Sequence, residues 1–262
     1  MNSDPQRRQP VVTAVIVSIC VTTWLLQVLH GVPAMNAPVS TAIDWGGLLP
    51  LYVLTGDAWR LVTALFLHAD LIHLAINMIV LSFTAPQLER AFGPLRMAAI
   101  FVVGGILANA GYAAWAAIQS GPQDFGHLLQ VLVGTSGGIM ALLGAMLVLS
   151  LLAAAGHEPY ATLLGRRVDR NLLWPIAINI GICFVIPHWD PTINVTGALA
   201  GLLVGAIVLA APMRADAATN LARFVAAGLL VAACVGALAR SGDRDFLVDL
   251  RAQYDAWRST QR

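Results

Sequence analysis

Apolar runs of helical length recur along the chain, separated by short stretches where charge, proline and glycine collect. The first runs from Val11 to Leu29, behind a polar head, Met1 to Pro10, that carries Arg7 and Arg8. Others follow at about Leu71–Ala85, Leu95–Ile118, Ser136–Ala155, Leu172–Ile186 and Thr192–Ala211, with a weaker one at Leu221–Ala239. A bilayer core takes about 20 apolar helical residues, so the pattern predicts an all-α polytopic membrane protein, six helices plus a seventh. The first run holds 19 residues, more than the roughly 7–15 of a signal-peptide core, and reads as a span. Gly31 to Asp70 mixes apolar and polar positions too finely to span; Trp45, Tyr52 and Trp59 suit a segment lying in the interface. The expected organisation is a head at 1–10, a transmembrane domain at 11–212, an extra helix at 213–239 and a polar, amphipathic tail at 240–262.

Composition sharpens this picture. The 262 residues are 58% hydrophobic and 11% charged, against about 25% charged in a soluble domain. A net charge of +1 argues against nucleic acid as a partner. Cys20, Cys183 and Cys234 all fall inside apolar runs and read as packing residues. Nothing in the sequence points to a metal or an organic cofactor. Arginine placement orients the chain: Arg7, Arg8, Arg90, Arg96, Arg166, Arg167, Arg170, Arg214 and Arg223 fall on one side and Arg60 on the other. The positive-inside rule then predicts a cytoplasmic N-terminus in a bacterial plasma membrane, with the serine end of the fourth span outside. The tail's arginines oppose that sidedness. No internal repeat is visible, which disfavours an inverted-repeat transporter.

Polar groups inside spans are expensive and usually have a task. His73 and Asn77, four residues apart, share one helix face. Ser136 opens its span between Gly134 and Gly137, where the backbone can turn sharply and leave N–H groups open beside a hydroxyl. Gly197, Gly201 and Gly205 form a ridge that lets another helix approach closely, and Asn194 lies on or near that face. Taken singly, each has a structural reading as well: a serine cap, helix-linking hydrogen bonds, a packing ridge. Asn109 and Asn179 read as hydrogen bonders in the bundle interior.

Together these stretches resemble the rhomboid intramembrane serine proteases. Trp59-Arg60 with Phe66-Leu67-His68 resembles the family's entry to its second helix. His73-Leu74-Ala75-Ile76-Asn77 matches its His-x-x-x-Asn element, and Glu89, Gly93 and Arg96 resemble the loop into the third helix. Gly134-Thr135-Ser136-Gly137 matches the nucleophile motif, and Pro187 and Asp190 followed by the glycine ridge match the approach to the sixth helix. The seventh span resembles the family's six-plus-one variant. One position departs: where rhomboids carry the general-base histidine, three residues before the first ridge glycine, this chain has Asn194.

The resemblance implies Ser136 as nucleophile, Gly134 in its turn, and His73, Asn77 and the Ser136 backbone N–H as the oxyanion hole. It implies transmembrane protein substrates, cut in or near the membrane. An amide cannot take the serine's proton, so proteolysis is expected to be impaired. Loss of the base leaves roughly 10³–10⁴ over water from the oxyanion hole and binding. His73 and His188 are the first substitutes to consider. The alternative is a pseudoprotease that binds transmembrane segments of clients without cutting them.

Overall fold

The structure, a computed structural model, describes residues 9–121, 123–157, 173–185, 190–209, 217–238, 240 and 244–261. In chain order the helices are α1 (Val11–Leu29), the short α2 (Val39–Asp44), α3 (Pro50–Leu54) and α4 (Arg60–Thr63), then α5 (Leu71–Phe92), α6 (Pro94–Gln119), α7 (Ser136–Ala154), α8 (Leu173–Ile182), α9 (Thr192–Leu209), α10 (Ala217–Leu238) and α11 (Arg244–Ser259). No strand is present among the described residues. Capping chemistry sets several ends. Asp70 accepts the His73 N–H at 2.8 Å and starts α5. Gly93, at φ +90°, ends α5, and Pro94 opens α6 where a backbone N–H is not needed.

Among the described residues, six helices are long and apolar enough to cross a membrane: Val11–Leu29, Leu71–Phe92, Pro94–Gln119, Ser136–Ala154, Thr192–Leu209 and Leu221–Leu238. The second is longer than its apolar run suggests, continuing through Pro86 to Phe92. Its added turns carry Glu89, 3% exposed, whose carboxylate accepts the N–H groups of Val12 and Thr13 and the Thr13 hydroxyl at 2.7–2.8 Å. An anion thus satisfies orphan donors at the start of α1 and complements its dipole. That tertiary bond favours helix where the sequence shows Pro86 and charge. The fifth span is described only as α8, followed by a turn over Cys183–Val185. Pro187, His188, Arg166, Arg167, Arg170, Pro212 and Arg214 lie outside the described residues.

Helix α7 sits at the centre, buried along most of its length by α5, α6 and α9. Its contact with α9 is backbone against backbone. A Cβ at Gly197 would stand 2.6 Å from the Gly137 carbonyl oxygen, and one at Gly201 would run into the Ala141 carbonyl. The expected ridge is therefore a seam against the serine helix. Outward positions such as Ile79, Phe83, Leu95, Ile118 and Leu199 are large, apolar and exposed, as a lipid-facing surface requires.

The 31–70 segment departs from the interfacial expectation at one aromatic. Trp59 is exposed, but Tyr52 is buried in a second core with Leu48, Leu49 and Leu51. The reason is the tail. Helix α11 lays Leu247 and Leu250 on this core, Tyr52 donates its hydroxyl proton to Asp255, and Arg251 stacks over the Tyr52 ring at 4.6 Å. Arg251 also reaches Asp57 at 3.3 Å, while Arg258 pairs with Asp44 at 2.9 Å. The tail helix is therefore docked at the end of the bundle where Ser136 lies, with Arg251 and Arg258 held by acidic partners.

Candidate active site

The serine turn is built from three strands of contact. Leu48 and Leu132 exchange backbone hydrogen bonds at 2.8 and 2.9 Å, tying the connector before Ser136 to the 31–70 segment. Gly134 donates its N–H to the Ala64 carbonyl at 2.9 Å and takes φ +126°. That conformation is rarely open to a side chain, and space closes it further: a Cβ there would meet His73 Cε1 and Nε2 at 2.8 Å. Thr135 then enters helical geometry, its carbonyl accepts the Ile139 N–H at 2.9 Å, and Ser136 becomes the first helical residue. Its N–H and that of Gly137 belong to the donors a helix start leaves open.

Helix α5 brings the two intramembrane polar groups to the same place. His73 and Asn77 are both buried on one face, and Asn77 donates to the His73 carbonyl at 2.9 Å. Behind them His68 stacks edge-on against His73 at 5.3 Å between ring centroids, and its Nε2 lies 3.4 Å from the Thr135 hydroxyl. His68 precedes α5; burial, and then the charge of His73, push its pKa down to about 3. This ring is a neutral strut between the serine turn and α5.

A cavity of about 110 Å³ joins these elements. Ser136, His73, Asn77 and Asn194 all line it, together with Asn179, Cys183 and Asp190. Gly134 is packed behind it against the His73 ring. All the residues singled out from the sequence as candidate site groups are thus collected around one chamber. Asn194 is 3% exposed and donates through Nδ2 to the Asn179 carbonyl at 2.7 Å and to Cys183 Sγ at 3.3 Å. Its Oδ1 is buried without a hydrogen-bond partner among the described residues. Asn194 is therefore a held donor, with no proton-accepting nitrogen at this position.

Three lining residues change from their sequence readings. Cys183 is a cavity thiol bonded to Asn194, not a packing residue. The Asn179 side chain turns back to the Pro175 carbonyl of its own helix, and its backbone carbonyl makes the bond that joins α8 to α9. Asn109 does link elements, donating to the Leu61 carbonyl at 2.8 Å. Asp190 accepts the Thr192 N–H at 2.8 Å at the start of α9 while facing the chamber. Sequence spacing held the signal: Asn179 and Cys183, and Asp190 and Asn194, are each four residues apart.

The chain resembles proteins of one family. The family model described as the rhomboid domain matches residues 55–214. RHOMBOID-like protein 5 of Arabidopsis thaliana is 30% identical over 178 residues, which cover 68% of this chain and 53% of that protein. Rhomboid protease GluP of Bacillus subtilis is 25% identical over 233 residues, 89% of this chain and 41% of that one. Rhomboid protease AarA of Providencia stuartii is 25% identical over 225 residues, 83% and 79% respectively. The chain thus spans about half or less of the length of the first two.

Proposed function

The chain belongs to the rhomboid family, and from that premise we propose that it hydrolyses peptide bonds in or near transmembrane segments slowly, from a serine site whose base position holds Asn194. As an integral multi-pass membrane protein it carries the intramembrane-protease scaffold of its family. The observation that supports the finer reading is the shared chamber of Ser136, His73, Asn77 and Asn194.

In this reading Ser136 is the nucleophile at the end of α7. The donors for a tetrahedral oxyanion would be the Ser136 N–H, the Asn77 amide and the His73 ring, which line one chamber with Ser136. Gly134 keeps the turn open for the imidazole. Asn194 lacks the proton affinity of an imidazole, so activation of the serine by a histidine at this position is absent. The substrates, or in the non-cleaving reading the clients, are transmembrane proteins. In this reading the N-terminus is cytoplasmic in a bacterial plasma membrane, which puts Ser136 toward the outer face; the arginine asymmetry of the sequence supports it and the tail's arginines oppose it.

Cleavage of a model transmembrane substrate by the purified chain, compared with Ser136→Ala, tests the reading. Slow, serine-dependent cleavage supports it. No serine-dependent cleavage by the chain or by Asn194→His favours the pseudoprotease, for which the buried Asn194 amide, its Nδ2 bonded to Asn179 and Cys183, speaks.

A further inference from the structure

An amide at 194 leaves open what takes the proton of Ser136, and the chamber contains one carboxylate among its lining residues, Asp190. Asp190 stands one helical turn before Asn194, and one of its oxygens, Oδ1, is engaged by the Thr192 N–H. Resting on the serine-site reading above, we propose that Asp190 is the general base of this chain, taking the Ser136 proton through a water held in the chamber.

Geometry favours Asp190 over the alternatives. The His73 ring is buried and packed against Gly134 and His68, and in the serine-site reading it serves the oxyanion. Cys183 Sγ accepts from Asn194 and donates to the Asn179 carbonyl at 3.4 Å. Asp190 is held by the Thr192 N–H at the start of α9, is half-buried, and lines with Ser136 one chamber of about 110 Å³. That space holds a few waters, since one occupies ≈ 30 Å³ of liquid. A water there bonds to Asp190 on one side and to the Ser136 hydroxyl on the other.

The step balances as follows. The Ser136 Oγ forms a bond to the scissile carbonyl carbon while its proton passes to the bridging water and that water's proton to Asp190. The carbonyl electron pair moves onto oxygen and is held by the oxyanion donors. The carboxylic acid returns the proton to the leaving nitrogen as the C–N bond breaks, giving an ester on Ser136. A second water then attacks the ester, Asp190 takes its proton, and Ser136 leaves as the alcohol with that proton. Among the described residues, Tyr112 from α6 and Cys183 after α8 lie near Asp190, and His73 from α5 and Asn194 from α9 line the same chamber; none of these four is a fixed charge.

Asp190→Asn is the informative substitution, because asparagine caps a helix as well as aspartate but accepts no proton. The full chain and its variants are compared in proteoliposomes with a model transmembrane substrate, reading kcat and KM against pH. Expected is a loss of about tenfold or more in the residual kcat at unchanged KM, against the 10²–10⁴ a positioned base supplies. The residual activity should carry no imidazole inflection at about 6.5. In the Asn194→His background the activity should instead fall through about 6.5, and Asp190→Asn should remove less than about threefold. Equal losses in both backgrounds would make Asp190 a helix cap only. An Asp190→Asn chain as active as the parent, or a parent no more active than Ser136→Ala while Asn194→His cleaves, overturns the proposal and leaves the scaffold reading standing. Failure of Asn194→His as well overturns the serine-site reading itself.

Discussion

Gly134→Ala perturbs the site through a single methyl group, and its effect divides into two parts. Alanine at φ +126° carries backbone strain of about 1–3 kcal/mol. Its Cβ would also lie 2.8 Å from two atoms of the His73 ring, where ordinary contact begins at 3.4 Å. His73 is 8% exposed and has His68 behind it, so the ring cannot simply retreat. Overpacking of this kind costs about 1–3 kcal/mol, for a total of about 2–6 kcal/mol. Only the second part depends on the ring. In a cycle with His73→Ala, the double variant should therefore recover about 1–3 kcal/mol relative to the sum of the singles. Equilibrium unfolding in mixed detergent–SDS micelles, followed by tryptophan emission, measures all four proteins. Additivity within about 0.5 kcal/mol would mean that the imidazole does not rest on Gly134, and the described serine turn would be wrong.

Gly201→Leu should abolish the folded protein or cost at least about 3 kcal/mol, because its side chain would enter the Ala141 backbone; the same unfolding titration checks it, and a neutral result would remove the α7–α9 seam. Because His68 is held near 3 when folded and titrates near 6.5 when unfolded, the unfolded state binds the extra proton. Stability should then be full above about 6.5 and decline as pH falls toward 3, and His68→Gln should flatten that slope in unfolding curves taken from pH 7 to 4. Arg251→Ala removes the Asp57 and Tyr52 contacts of α11. These are partly exposed and worth about 1 kcal/mol or less as an ion pair, so hydrogen exchange should quicken in 244–259 while the bundle core stays protected.

The spans were legible because membrane helices announce themselves by length: α6 and α7 begin and end within a residue of their apolar runs. The second helix was not, because its last turns owe their helical state to Glu89 bonding to α1, a contact 76 residues distant in sequence. Tyr52 went the same way. Its burial depends on α11, which returns from the far end of the chain. At the site, motif spacing identified Ser136, His73, Asn77 and Asn194, since i, i+4 positions and flanking glycines encode local geometry. The roles of Cys183 and of the Asn179 carbonyl were hidden, because they depend on where α8 meets α9. Asp190 was visible as part of a motif, but its place in the chamber required the fold.

The proposed function requires Asn194 to hold the base position opposite Ser136. Asn194→His tests this most directly, in single-turnover cleavage of a transmembrane substrate in proteoliposomes at pH 7.5 or so, with Asn194→His/Ser136→Ala as control. An imidazole with a pKa near 6.5 is unprotonated there and can accept the serine proton. The account predicts a gain of about 10²–10⁴ over the parent chain, lost entirely in the control. A parent chain that already cleaves as fast as Asn194→His, with Ser136→Ala abolishing both, would contradict it.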